Sequence, residues 1–238
     1  MALVSFVGDD AGLLIACRRI LDRQPASAAL VWLVAHALGA PDQRAALWDA
    51  VEALEDDRTM AALAYELPDD AVVATVGWND AIATLARKRG DVGFVVVDTD
   101  GNAEYHIDRL IDGGTAMTTV DPEGTAQAMF DTTHVITFLD ALGPEHGLAP
   151  LGTFSALAVA RHLGTPTWGI AATGVALPER MYNGVTRRWN EHTSEPRYMR
   201  SAEEIPIGLL DQVLSTTGIS SPDQAVRASG CPIVAELF

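Results

Sequence analysis

The sequence contains one lysine, two cysteines and no long apolar run among its 238 residues. Cys17 lies in an apolar helical pattern and Cys231 near the C-terminus, so their spacing indicates neither a disulfide framework nor a cysteine metal site. No stretch reaches the roughly 18 apolar residues that a membrane helix needs, and residues 1–7 lack the basic start of a signal peptide. These absences predict a cytoplasmic protein without a membrane partner.

Cations are scarce throughout the chain. Sixteen Lys and Arg face 32 Asp and Glu, which gives a net charge of −16. Nucleic-acid binding through phosphate neutralisation needs clustered cations, so we expect no nucleic-acid partner. Two explanations of the acidic surface stay open. One is a halophilic protein, whose self-repulsion high salt screens. The other is an ordinary acidic protein from an arginine-rich, high-GC genome.

Several cofactor motifs are also missing. No G-x-G-x-x-G follows a predicted strand, and no phosphate-binding loop with its lysine is present, so neither a dinucleotide site nor a nucleotide triphosphatase is indicated. His134, His146 and His162 are scattered, without a pair at metal-ligand spacing. We therefore predict no metal and no cofactor.

Apolar periodicity divides the chain into two regions. Residues 1–70 predict a small helical domain, with Asp9 or Asp10, Ser27 and Asp42 as helix caps. Residues 71–238 alternate strands with helices and predict a Rossmann-like α/β domain, whose parallel sheet of five or more strands has helices on both faces. The predicted strands are residues 71–76, 92–97, 115–120, 134–139 and 167–172, and predicted helices include 79–90 and 102–111.

Residues 134–173 form the central unit of this prediction. A strand ends at Asp140, residues 141–150 form a loop, and Gly152 and Thr153 open a helix that Gly164 ends. Strand, helix and strand make a βαβ unit, whose ligands collect at the carboxyl ends of the strands. Asp140 is the candidate catalytic residue, because a fixed carboxylate at this edge can move a proton or accept a ligand hydroxyl.

Other strand ends supply candidate ligand-binding residues. Gly77 and Asn79 follow the first strand and Asp98 the second, whereas Asp121 precedes Pro122 and reads as a helix cap. The backbone N–H groups and the hydroxyl of Gly152 and Thr153 suit an anion.

The C-terminal third is less regular. Residues 179–200 concentrate arginines, and Arg187 and Arg188 are candidate ligands for an anionic group. This segment is either an anion-binding flap over the sheet edge or an irregular surface segment whose arginines pair with acids. Residues 206–214 predict a helix that stops at Gly218, and residues 222–228 predict another.

The order of these motifs resembles the translation initiation factor 2B family. The resemblance rests on Thr75-Val-Gly-Trp-Asn79, on the strand ends at Asp98, Asp121 and Asp140, on Leu151-Gly-Thr153, and on Gly164-Thr-Pro166. That family comprises the alpha, beta and delta subunits of the eukaryotic exchange factor together with methylthioribose-1-phosphate and ribose-1,5-bisphosphate isomerases. The resemblance implies a Rossmann-like sheet after a helical domain, homo-oligomers, and in the enzymes conversion of a 1-phosphorylated aldose to a ketose. The acid of the family's Gly-Ala-Asp motif matches Asp140.

The chain also departs from the family pattern. Gly77 stands where the isomerases have a cysteine, Ala149 and Pro150 replace an Asn-Lys pair, and the Arg-Gly-Ala phosphate motif finds at best Val7-Gly8-Asp9.

These departures favour a protein that binds a phosphorylated sugar or nucleotide without the standard isomerase chemistry. The alternative is an aldose-ketose sugar-phosphate isomerase that uses Asp140. A transferase or hydrolase on the same sheet is a third possibility, which the sequence neither supports nor excludes.

Overall fold

The computed structural model describes residues 2–109 and 115–237. Within the described residues, a 3-10 helix at Ala2–Phe6 precedes four α-helices, and the predicted caps Asp9, Ser27 and Asp42 accept backbone N–H bonds at the first three of these. Their bounds are α1 (Asp10–Arg23), α2 (Ala28–Gly39), α3 (Gln43–Glu55) and α4 (Thr59–Glu66). No helix in the described ranges has the length and apolar character to cross a membrane.

Strands and helices alternate after α4, as the sequence predicts. The elements are β1 (Val72–Val76), α5 (Asp80–Lys88), β2 (Gly93–Val97), α6 (Ala103–Asp108), β3 (Met117–Val120), α7 (Thr125–Phe130), β4 (His134–Phe138), β5 (Ala141–Leu142), β6 (His146–Pro150), α8 (Thr153–Leu163), β7 (Thr167–Ile170), α9 (Glu179–His192), β8 (Ala202–Pro206), β9 (Gln212–Ser215), β10 (Gly218–Ser220) and α10 (Pro222–Arg227). The predicted end of the helix over 102–111 lies outside the described residues.

The main sheet has seven strands in the order β10-β9-β7-β4-β1-β2-β3. All neighbours pair in parallel except β10, which runs antiparallel to β9. The chain moves outward from β1 to β3 and then returns to the other side of β1 with β4. This reversal is the switch point at which Rossmann-like sheets open a crevice for ligands.

Helices cover both faces of the sheet, which confirms the predicted fold class. Ala74 and Val76 pack with Ala156 and Leu157 of α8. On the opposite face, Val73, Phe94 and Val96 pack with Ile82 and Leu85 of α5, and Leu63 of α4 joins the same core. The predicted domain boundary at residue 70 stays a prediction, although α4 packs on the sheet.

Three sequence predictions about irregular or helical segments are wrong. The predicted loop 141–150 contains β5 and β6, which form a second, antiparallel sheet with β8. Residues 179–192 form α9 instead of a flap or an irregular segment. Residues 206–214 are not a helix, because Gln212–Ser215 pairs with β7 and Gly218 opens a strand instead of ending a helix.

Arg89 joins the helical start of the chain to the sheet. Its Nη1 donates to the carbonyl oxygens of Ala64 and Leu67, each at 2.8 Å, and its Nη2 donates to the carbonyl of Pro68 at 2.9 Å and to Asp91 at 2.6 Å. The hydrogen bond from Arg89 holds the pKa of Asp91 well below its usual range. One guanidinium therefore supplies hydrogen-bond donors to the carbonyl oxygens at the end of α4 and to the Asp91 carboxylate in the turn before β2.

We expect Arg89→Met to destabilise the fold, because the aliphatic stem remains but three carbonyl oxygens lose their donor. The free energy of unfolding should fall by about 1–3 kcal/mol in urea titrations. Arg87→Met is the control, since exposed Arg87 donates to the Thr84 hydroxyl at 3.3 Å and to no carbonyl oxygen of the described residues. Equal urea midpoints for the two variants would contradict this role of Arg89.

Candidate functional site

The carboxyl ends of the parallel strands form one edge of the sheet, and Asp140 lies there beyond β4. Its backbone is fixed on two sides. The Asp140 N–H donates to the carbonyl of Leu148 at 2.9 Å, and its own carbonyl accepts the N–H of Ala28, the first residue of α2, at 3.4 Å. Asp140 is thereby held against the N-terminus of α2.

An open cavity of about 400 Å³ lies between α2 and the sheet edge. The residues that line it are Gln24, Pro25, Ala26, Ser27, Ala29, Leu139, Asp140 and Val175. Within the described parts of the chain, no group donates a hydrogen bond to the Asp140 carboxylate. The cavity therefore contains an acceptor that a bound molecule can use.

The protonation of Asp140 is shifted towards neutrality. Its side chain reaches solvent, yet the cavity walls surround the carboxyl group, and this burial raises its pKa to about 6. A recessed but open position reconciles the exposed surface with the upward shift. The N-terminus of α2 acts in the opposite direction, because the positive end of a helix dipole favours a carboxylate. At near-neutral pH, Asp140 can therefore both accept and donate a hydrogen bond.

Asn79 and Asp98, both predicted as ligand-binding residues, lie at the same edge and already have partners. The Asn79 side chain accepts the N–H of Ala81 at 2.9 Å at the start of α5. The Asp98 carboxylate accepts the N–H groups of Gly101, Asn102 and Ala103 at 2.9–3.2 Å before α6. Asn79 is the N-cap of α5, and Asp98 holds the turn that leads into α6, so a ligand would compete with the chain for both side chains.

Gly77 follows β1 in a left-handed conformation with φ +70°. A Cβ at this position would lie 3.5 Å from Pro150 and 3.6 Å from the Thr99 hydroxyl. The backbone conformation thus favours glycine where the isomerases have cysteine. The two thiols of the chain lie in the helical core, where burial raises the pKa of Cys17 to about 11 and that of Cys231 to about 12.

The start of α8, predicted to bind an anion, already holds a carboxylate of the chain. Oε1 of Glu203 accepts the N–H groups of Gly152 and Phe154, both at 2.8 Å. The Thr153 side chain is 1% exposed, and its hydroxyl has no hydrogen-bond partner in the described part of the molecule. Sequence analysis missed Glu203, because its place depends on β8 pairing with β6, where Glu203 lies opposite Ala149.

Arg187 and Arg188 lie on α9 and do not line the Asp140 cavity. Arg188 is largely buried, donates to the carbonyl of Leu237 at 2.8 Å and lies 4.0 Å from Asp22. Arg187 is exposed and lies 3.9 Å from Glu191, one helical turn further along α9. Their predicted role in binding a ligand at the sheet edge finds no support in this placement.

Asp57 is a second residue that sequence analysis missed. Its Oδ2 accepts both the N–H and the hydroxyl of Thr173, at 2.7 and 2.8 Å. The loop after β7 is thereby tied to the segment that precedes α4.

In the described ranges, no group of three or more His, Cys, Asp or Glu side chains is placed to hold a metal ion.

The sheet order, the second antiparallel sheet and the helical start together define a Rossmann-like fold, whose strand order reverses between β1 and β4. Neither models of protein families nor curated proteins match the sequence.

Solved structures are similar to this chain. The translation initiation factor eIF-2B of Pyrococcus horikoshii superposes with a TM-score of 0.71 at 13% identity, over 93% of this chain and 85% of that one. The eIF2B beta subunit of Chaetomium thermophilum gives a TM-score of 0.71 at 15% identity, over 97% and 82%. The 5-methylthioribose 1-phosphate isomerase of P. horikoshii gives 0.58 at 13%, over 78% and 62%. The chain thus has the fold of initiation factor 2B subunits and of this isomerase, which confirms the predicted resemblance at the level of fold.

We expect Asp140→Asn to change how stability depends on pH. The pKa of Asp140 is about 6 in the folded state against an ordinary 3.8. This difference stabilises the folded parent protein fully below about pH 4, and the stabilisation is lost as pH rises through 6. The amide of the variant cannot ionise, so its free energy of unfolding should rise relative to that of the parent over this pH range. We expect about 1 kcal/mol by pH 7.5, after allowing for solvent screening of an exposed group.

Chemical denaturation at pH 4.0, 5.5 and 7.5 measures this difference. Asp121→Asn is the control, because this exposed aspartate also follows a strand and makes no side-chain cap bond. An Asp140→Asn difference that stays constant from pH 4.0 to 7.5 would show that the carboxyl group is not perturbed.

Proposed function

We propose that the chain is an initiation-factor-2B-like protein that binds a phosphorylated sugar or nucleotide at the carboxyl edge of the sheet, without the standard isomerase chemistry. The observation that carries this proposal is the Asp140 carboxylate, which faces a cavity of about 400 Å³ beside the switch point. That volume falls within the roughly 300–1,000 Å³ of small-molecule sites.

The chemistry of the cavity suits the two ends of a sugar phosphate. Asp140 is an acceptor for sugar hydroxyls, and the dipole of α2 favours an anionic group, although the N–H groups of Ala28 and Leu30 already donate to the Asp140 carbonyl and to Ser27. The ligand class is taken from the similar structures, one of which is a 5-methylthioribose 1-phosphate isomerase. No arginine or lysine is found among the described residues that line the cavity. We therefore expect micromolar to millimolar affinity instead of the tighter binding that a charge-assisted phosphate contact supports.

Three features argue against the isomerase reaction. Gly77 offers no thiol at the end of β1, and both cysteines are buried in the helical core. Ala149 and Pro150 supply neither the amide nor the ammonium group of the Asn-Lys pair that the resemblance implies. The start of α8 holds Glu203 in place of a free anion site.

The alternative function is an aldose-ketose sugar-phosphate isomerase in which Asp140 moves the proton between C1 and C2. One observation favours it: burial raises the pKa of Asp140 to about 6. An acid–base group works best when its pKa lies near the working pH.

We also propose that the protein is a homo-oligomer. A similar solved structure is the tetrameric beta–delta complex of the C. thermophilum factor. Large apolar side chains such as Tyr198 and Met199 are exposed in the single chain. Light scattering after size exclusion tests this assembly.

Thermal-shift titrations with ribose 1,5-bisphosphate, ribose 5-phosphate and AMP test the binding proposal. A ligand at 100 times its Kd raises stability by about 2.7 kcal/mol, so saturable stabilisation of the parent is expected. Asp140→Ala should abolish this stabilisation, and the control Asp121→Ala should retain it.

The same samples separate the two functions. By NMR, we expect no ketose to form from the aldose phosphates with the parent protein. Turnover that Asp140→Asn reduces by about 10²–10⁴ would establish the isomerase instead. Saturable binding that persists in Asp140→Ala would show that the ligand does not bind in the Asp140 cavity.

A further inference from the structure

The start of α8 is occupied by an anion that belongs to the chain. The helix has 11 residues, and the N–H groups of Gly152 and Phe154 converge on a single oxygen, Oε1 of Glu203, at 2.8 Å each. Contacts of this kind between a carboxylate and N–H groups at a helix start are charge-assisted and aligned with the helix dipole. Glu203 therefore makes the contacts that an external phosphate oxygen would make.

Thr153 lies between the two donor residues and carries a polar side chain of its own. Its hydroxyl is buried, with 1% of the side chain exposed, and has no hydrogen-bond partner among the described residues. Buried hydroxyl groups normally have a partner. Gly152 has φ +96°, and a Cβ there would lie 3.4 Å from Thr99 and 3.5 Å from Val76, so the backbone is closely packed behind the donors.

We propose that Glu203 is a specificity-determining residue that occupies the anion position at the start of α8 and excludes phosphate from it. A phosphate group that approached Gly152 and Phe154 would meet both a filled pair of donors and a like charge. This exclusion of phosphate from α8 does not rest on the proposed function.

The surroundings of Glu203 offer its carboxylate a second position. Glu203 also borders a cavity of about 170 Å³ that is lined by Arg197 and Arg200. Nη1 of Arg200 donates to Asn190 at 2.6 Å, and its guanidinium lies 5.0 Å from the centre of the Trp189 ring. A carboxylate that left α8 would face a cavity that two arginines line.

Titration of inorganic phosphate by calorimetry, with ionic strength held constant by chloride, tests the proposal. We expect Glu203→Ala to bind phosphate about tenfold more tightly than the parent, because the N–H groups of Gly152 and Phe154 become available. Glu204→Ala is the matched control, since Glu204 is the next residue on β8, lines the same cavity and should leave phosphate binding unchanged.

Glu203→Gln provides a second variant in case the alanine variant does not fold. The amide keeps an acceptor oxygen but loses the charge, so phosphate affinity should lie between those of the parent and Glu203→Ala. The proposal is overturned if every folded Glu203 variant binds phosphate no more tightly than the parent and Glu204→Ala.

Failure of this inference is distinguishable from failure of the proposed function. If the parent binds no sugar phosphate but Glu203→Ala gains phosphate affinity, the Asp140 proposal falls and the role of Glu203 stands. If the parent binds sugar phosphate and Glu203→Ala does not gain phosphate affinity, the Asp140 proposal stands and the role of Glu203 falls.

Discussion

The structure depends on how helix starts are satisfied along the carboxyl edge of the parallel sheet. Each helix that begins there exposes N–H groups that need acceptors. Asn79 supplies an acceptor at α5, Asp98 at α6 and Glu203 at α8. Asp140 differs from these residues, because no described group donates to its carboxylate. The side chains of Asn79, Asp98 and Glu203 are thus occupied by helix starts, whereas the carboxylate of Asp140 faces a cavity.

This arrangement explains why the fold and the chemistry point in different directions. The overall fold is similar to that of initiation factor 2B subunits and of a 5-methylthioribose 1-phosphate isomerase. The resemblance implies a cysteine after β1 and an Asn-Lys pair before α8, whereas this chain has Gly77 and Ala149-Pro150 there, and Glu203 accepts the N–H groups at the start of α8. In a chain with a net charge of −16, the acids Asp98 and Glu203 serve as acceptors at helix starts alongside the neutral Asn79 and Ser27, and each acid used in this way repels an anionic ligand.

The sequence predicts the fold well where local signals suffice. Apolar runs that end in small or polar residues located the parallel strands, and caps such as Ser27 located the helix starts. The α9 signal was present, because Met181, Val185 and Trp189 recur at helical spacing and are buried. The prediction for residues 206–214 was wrong, because their apolar pattern suits both the helical and the strand period. The N–H and the hydroxyl of Thr167 donate to Asp211 at 2.9 Å, and these long-range contacts fix β9 beside β7. Glu203 left no local signal, because its role depends on strand pairing between distant residues.

The central claim is that a ligand binds at Asp140 while Glu203 keeps the start of α8. A crystal structure of the protein with saturating ribose 1,5-bisphosphate tests it most directly. The account predicts sugar hydroxyls within hydrogen-bond distance of the Asp140 carboxylate, with Glu203 still accepting the N–H groups of Gly152 and Phe154. A phosphate group bound to Gly152 and Phe154 with Glu203 displaced, or an empty Asp140 cavity, would contradict it.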